Sequence, residues 1–196
     1  MEHNRNFNGV IKRTSKSSLA SWIQSPSVLK RRPNIVMIVL DDVGYSQLGC
    51  YGGDIETPAM DSLAAEGLRY ANFHVTPLCS TTRACLLTGR NHHSVGVGRV
   101  VESTNGYPNT RGFISKEAAN LAEILGTQGY QNLAAGKWHL ASCDDTSPAG
   151  PYDHWPLQSG FDRFYGYLSG ETNQWNPELI LGNERIEPPS YENYHL

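Results

Sequence analysis

The sequence predicts an α/β domain built on a largely parallel sheet and left incomplete within these 196 residues. Three observations predict it. Residues 34–40 form a continuous, β-branched apolar run, strand-like and helix-like segments alternate as far as residue 135, and the stretch from Ser142 to Leu196 has little periodicity. A run that is apolar at nearly every position suits a strand buried on both faces. Alternating strands and helices bring the strands parallel. A weakly patterned tail of this length is unusual inside a finished compact domain, so it reads as connecting surface lacking the elements it should pack against.

Residues 1–32 are polar, rich in Ser, Asn, Lys and Arg, and end in Leu29-Lys30-Arg31-Arg32. They read as an N-terminal extension, with the three basic side chains solvated rather than forming a binding patch. The domain is expected over residues 33–196. Asn34 to Leu40 gives the first strand, which stops at Asp41-Asp42. Thr57-Pro58 starts a helix, with Thr at the cap and Pro in the first position. Met60, Leu63 and Ala64 follow at helical spacing, and Gly67 can end it. Residues 68–75 read as a second strand. A second helix is expected near Ala84. A third spans about Ser115 to Gln128, where Ala118, Leu121, Ala122 and Leu125 repeat on one face. Gly129 ends it, and Tyr130 to Ala135 returns as a short strand.

Composition narrows the class. Hydrophobic residues make up 39% and charged residues 18%, as in a globular protein rather than a disordered one. A net charge of −3 gives no basis for a nucleic-acid surface. No apolar run is long enough for a membrane span, and no apolar signal follows the N-terminal Met. A cytoplasmic location is the resulting expectation. Cys50, Cys79, Cys85 and Cys143 form no CxxC pair, which argues against a zinc site and a disulfide framework.

Three clusters can carry chemistry. Asp41-Asp42 stands where an α/β sheet puts its ligands, beyond the carboxyl end of a strand. Two adjacent carboxylates fit a hard divalent cation, although an acidic turn is the plainer reading of the pair alone. Cys79 lies at the start of a helix, where amide dipoles favour a thiolate or an anion. Arg83, one turn on, suits a tetrahedral oxyanion. The plainer reading of Cys79 alone is a small buried hydrophobe, as for Cys85. Lys137 and His139 follow the last strand at a spacing that points both side chains one way, and they could serve leaving-group protonation beside an anion.

Taken in order, Pro33 to Asp42, Gly49-Cys50-Tyr51-Gly52 with Glu56-Thr57-Pro58, Cys79 to Arg90, and Gly129 to Leu140 resemble the type I sulfatases (arylsulfatases) of the alkaline-phosphatase superfamily. The similarity runs through about residue 168 and includes Gly160-Phe161-Asp162-Arg163-Phe164-Tyr165-Gly166. Asn91-His92-His93 and Pro151 to Pro156 resemble a bacterial arylsulfatase branch. The resemblance implies an alkaline-phosphatase-like α/β/α sandwich and a sulfuric ester hydrolase. It implies that Asp41 and Asp42 hold a divalent metal, Ca²⁺ in most members with Mg²⁺ the other candidate. Cys79 would be oxidised by a formylglycine-generating enzyme and would then also ligate the metal.

The hydrated aldehyde would attack the sulfur of a small sulfate ester, and its second hydroxyl would later expel sulfate. Arg83 would hold the hydrate and metal site, and Lys137 and His139 would bind sulfate and orient the hydrate. The family's modification motif is Cys-x-Pro-x-Arg, with Ala tolerated at the middle position, and is read in extended form before folding. Here that position is Thr81, while Asn132 stands where Ser or Thr is common. Further metal ligands, a histidine and a lysine are implied beyond Leu196, so the 196-residue chain by itself is expected to be inactive. A phosphonate monoester or phosphodiester hydrolase, and an inactive sulfatase remnant, are the alternative readings.

Overall fold

The computed structural model describes residues 9–19, 32–191 and 194–196; most of the N-terminal extension, including Leu29 to Arg31, lies outside the described residues. The chain divides into two units, Met1–Pro33 and Asn34–Leu196. In the first, Val10 and Leu19 pair in an antiparallel bridge around a short 3-10 turn at Ser15–Ser17.

The second unit carries a four-stranded sheet: β1 (Leu133–Lys137), β2 (Arg163–Tyr167), β3 (Leu179–Leu181) and β4 (Glu184–Ile186), in that spatial order. β1 and β2 run parallel, and β2, β3 and β4 form an antiparallel meander. The sheet described is therefore mixed. In the β1–β2 register Gly136 faces Gly166, where a Cβ on Gly166 would come within 1.9 Å of the Gly136 carbonyl oxygen. Only glycine fits there. Among the described residues three α-helices accompany the sheet: α1 (Pro58–Glu66), α2 (Cys79–Thr88) and α3 (Leu121–Thr127).

The core gathers where α2 meets the sheet. Ala84 of α2 packs with Val95, Val97, Trp138, Leu140, Trp155, Phe164, Leu168 and Ile180. Trp155 and Leu179 are fully buried, and each such side chain stabilises the fold by roughly 1.5–3 kcal/mol through area removed from water. The buried face of α2 is Ser80, Thr81 and Ala84; these small residues let the helix approach the core closely. Gly89 ends α2 in the left-handed conformation (φ 63°), its N–H bonded to Cys85 O at 2.8 Å.

Several expectations are corrected. Residues 34–40 are not a buried strand but a segment without regular secondary structure, with Ile35, Val36 and Ile38 all more than half exposed. Apolar patterning supplies a strand's driving force only where a neighbouring strand accepts its backbone bonds. Here the run instead lines a largely apolar cavity of about 960 Å³, together with β1 and α3. Residues 68–75 likewise form no strand.

The tail from Ser142 is not bare connecting surface, since β2, β3 and β4 all lie in it. These strands are three to five residues long, too short to show a period. The third helix starts at Leu121, not Ser115. Asn120 accepts from the Glu123 N–H at 3.2 Å, and Glu123 accepts from the Asn120 N–H at 2.8 Å. That capping box sets the boundary, leaving Ala118 buried in the preceding turn. α1 begins and ends as expected, at Pro58 and before Gly67, but none of its residues is buried.

Candidate active site

The start of α2 and the end of β1 meet. Leu78 precedes α2 in extended conformation, and the first helical bond runs from Thr82 N to Leu78 O at 3.0 Å. Cys79 and Arg83 are thereby one turn apart on the same face. After Lys137 the chain stays hydrogen-bonded to the end of β2, with Trp138 N to Tyr167 O at 2.9 Å and His139 N to Leu168 O at 3.0 Å. His139 itself takes a left-handed backbone (φ 54°), as does Asp42 (φ 54°). The side chains of Lys137 and His139 therefore do not converge through simple strand alternation. A non-glycine residue held at positive φ costs of order 1–3 kcal/mol, which the bonds to β2 and the burial of His139 must offset.

Five of the six candidate residues are linked by contacts. Asp41 Oδ2 accepts from Lys137 Nζ at 2.8 Å and from Arg83 Nη2 at 3.2 Å. Arg83 also donates from Nη1 to the Lys137 carbonyl. Cys79 Sγ lies 3.1 Å from His139 Nδ1. Asp42 follows Asp41 in sequence and is exposed. On the other side of the imidazole, His139 Nε2 lies 2.8 and 2.9 Å from the two carboxylate oxygens of Glu102. Glu102 sits in a short 3-10 turn, Val101–Ser103, anchored by buried Val101, whose N–H reaches Ser80 Oγ in α2 at 3.4 Å.

Electrostatics follow from this geometry. Burial acts to raise the Asp41 carboxyl pKa, but the hydrogen bonds and charges of Lys137 and Arg83 outweigh it and hold it below the usual carboxylate range. Burial likewise pulls the Lys137 ammonium down, yet Asp41 and the charge of Cys79 leave it above the ordinary lysine value. For His139, burial and the nearby Lys137 and Arg83 charges prevail over the raising effect of Glu102, so its pKa is lowered. Glu102 is lowered as well, because bonds from His139 and from backbone N–H groups, Gly170's included, overcome its burial.

Asp41 and Asp42 offer the oxygen donors a hard cation takes, but two carboxylates do not complete its six to eight ligands. Among the described residues no group of three or more His, Cys, Asp or Glu side chains is placed to hold a metal ion. The large apolar cavity touches Asp41, Arg83 and Lys137 but not Cys79 or His139; it is space between the 34–40 run and β1 rather than an ester pocket. His154 stands apart, paired with Asp145 at 2.6 Å and stacked on Phe113. Asn132 is buried, its side-chain amide donating to the carbonyls of Ala122 and Gly160.

Sequence reasoning missed Glu102 and Gly170. Glu102 sits in Val100-Val101-Glu102-Ser103, which has no chemical spacing to mark it.

A family model described as Sulfatase matches residues 33–194. The chain is 44% identical to human arylsulfatase A over 153 residues, 76% of this chain and 28% of that protein. It is 30% identical to the arylsulfatase of Klebsiella aerogenes over 155 residues, 78% of this chain and 32% of the relative. The solved structure of Ps i-CgsB superposes with a TM-score of 0.70 at 26% identity, covering 82% of this chain and 38% of that one. The chain thus spans about a third or less of the length of these two arylsulfatases.

Proposed function

The chain belongs to the sulfatase family, with its alkaline-phosphatase-like α/β fold, and on that premise we propose that it is the nucleophile-bearing part of a sulfuric ester hydrolase. The observation that carries this reading is the contact between Cys79 at the start of α2 and His139 Nδ1, 3.1 Å away, beside the Arg83–Asp41–Lys137 ion cluster. A nucleophile, a proton acceptor and two fixed cations are the groups that attack on a tetrahedral anionic ester requires.

In this reading Cys79 is converted to formylglycine by a formylglycine-generating enzyme, and the hydrated aldehyde supplies a hydroxyl nucleophile. Arg83 and Lys137 hold the sulfate oxygens, and their positive charge favours an anionic ester over a neutral one. His139 holds the proton of the nucleophile at Nδ1. Asp41 and Asp42 supply two carboxylates of a divalent metal site, Ca²⁺ by family precedent, and the metal when bound polarises the ester. The substrate is a small sulfate ester. The protein of the solved complex with k-i-k-neocarrahexaose shares the fold, which makes a sulfate ester of a sugar one member of the proposed class to test. Because only part of a metal shell is assembled here, the 196-residue chain is expected not to turn over an aryl sulfate by itself.

The test is mass spectrometry of the tryptic peptide Tyr70–Arg83 from the native source. An aldehyde or its hydrate at residue 79 is the expected mass. Unconverted cysteine in every molecule would overturn the proposed nucleophile, and turnover of nitrophenyl sulfate by the purified chain would overturn the expectation of inactivity.

A further inference from the structure

We propose that Glu102 is a positioning residue for His139, fixing the imidazole with its proton on Nε2 so that Nδ1 accepts the proton of the group at residue 79. The inference deepens the sulfatase reading and rests on it for its catalytic meaning.

Both Glu102 oxygens lie within 2.9 Å of Nε2. A carboxylate can only accept, so the nitrogen facing it carries the proton. In a neutral imidazole that leaves Nδ1 as the acceptor, and Nδ1 is the atom 3.1 Å from Cys79 Sγ. The ring is also closely enclosed. His139 is 3% exposed, and a Cβ added at Gly170 would meet its Cε1 and Nε2 at 2.8 Å and Glu102 Oε1 at 3.2 Å. Gly170 thus allows backbone to close over the His139–Glu102 contact. The carboxylate arrives from an element unrelated in sequence to either partner, tied to α2 through Val101 and Ser80. Acceptor, ring and nucleophile are therefore indexed to the same helix.

The arrangement follows the logic of an acid–base group oriented by a third residue, in which the orienting carboxylate keeps its charge and the imidazole takes the proton. Loss of the partner that orients a metal-ligating histidine typically costs about tenfold to a hundredfold, and an effect of that order is expected for this histidine.

The test uses the full 196-residue chain with unconverted Cys79, so its result does not depend on formylglycine formation. Long-range ¹H–¹⁵N correlation of the wild-type chain is expected to show His139 protonated on Nε2 and bare on Nδ1. A His139 found protonated on Nδ1 alone overturns the inference with no variant needed. In the second arm, alkylation of Cys79 by iodoacetamide is followed at neutral pH. Glu102→Ala and His139→Gln are each expected to slow it about tenfold, and the double variant to be no slower than His139→Gln alone. A wild-type rate in Glu102→Ala, or losses that multiply in the double variant, would show that Glu102 does not act through His139. Should Glu102→Ala not fold, Glu102→Gln is read by the same criteria. Unconverted cysteine in the native protein would sink the sulfatase reading while leaving this orientation measurable.

Discussion

Lys137 Nζ lies 2.8 Å from Asp41 Oδ2, and Arg83 reaches the same oxygen at 3.2 Å. One carboxylate oxygen therefore serves two cations, each of whose side chains is largely buried, while the carboxylate is about one-third exposed. A divalent ion approaching Asp41 meets this positive charge before it meets a full set of oxygens. Ca²⁺ titrated into the 196-residue chain is expected to bind no tighter than about the millimolar range of weak oxygen sites. Lys137→Met, by removing a charge within contact distance of Asp41, should tighten binding about fivefold or more at low salt. Calorimetry decides it, and micromolar affinity in the unaltered chain would contradict the argument.

Gly170 offers a steric test of the same region. A methyl group there falls 2.8 Å from two ring atoms of His139, and the buried ring has little space to retreat. Gly170→Ala should destabilise the fold by about 1–3 kcal/mol through overpacking. It should also move His139 off Cys79, seen as a shift of the His139 ring resonances. An unchanged melting temperature together with unchanged ring shifts would count against the packing described.

The acid limb of stability has a defined sign. His139 has a lowered pKa in the fold, so below the ordinary histidine value of about 6.5 the unfolded chain binds a proton that the folded chain resists. Stability then rises with pH across that window and is lost as pH falls through the folded value. Glu102 and Asp41, also lowered, add losses of the same sign below about 4.3 and 3.9. Lys137 is raised and acts oppositely: its contribution is complete below about 10.4 and disappears as pH rises past the folded value. Denaturant unfolding should therefore show stability falling from pH 7 to pH 5, with a shallower slope in His139→Gln. Equal slopes in the two chains would remove His139 as the cause.

What could be read from the sequence divides by physical range. Local signals held: Pro58 and Gly67 bound α1 as read, because each acts on the backbone at its own position. Periodicity misplaced the start of α3, since Ala118 shares the apolar face but the Asn120–Glu123 box fixes the first turn. The Ile35 to Leu40 run has strand chemistry without strand partners, a property of the neighbours rather than the run. In the site, Cys79, Arg83, Lys137 and His139 were legible because they sit in ordered motifs. Glu102, 37 residues from His139, was not. Its contact arises only when a short turn is tied to α2 by one bond to Ser80, and no local pattern encodes that.

Thr81 shows how one side chain can serve the fold and the modification differently. Its buried hydroxyl donates to Leu78 O at 2.9 Å and lies 2.6 Å from Thr76 Oγ1, pinning the start of α2. The first helical N–H bond belongs to Thr82, so a proline at 81 would break no backbone bond of the helix and would sit in its first turn, where proline is tolerated. Thr81→Pro should therefore cost about 1 kcal/mol for the lost hydroxyl contacts, or about 2–4 °C in melting temperature for a chain of this size. In the unfolded chain the same change favours the extended conformation around Cys79. Co-expressed with a formylglycine-generating enzyme, Thr81→Pro should give a higher converted fraction at residue 79 than the unaltered chain, despite melting earlier. Equal conversion would mean that the middle position is not what limits the modification here, and an unfolded variant would mean that the Thr81 hydroxyl contributes more to α2 than two hydrogen bonds account for.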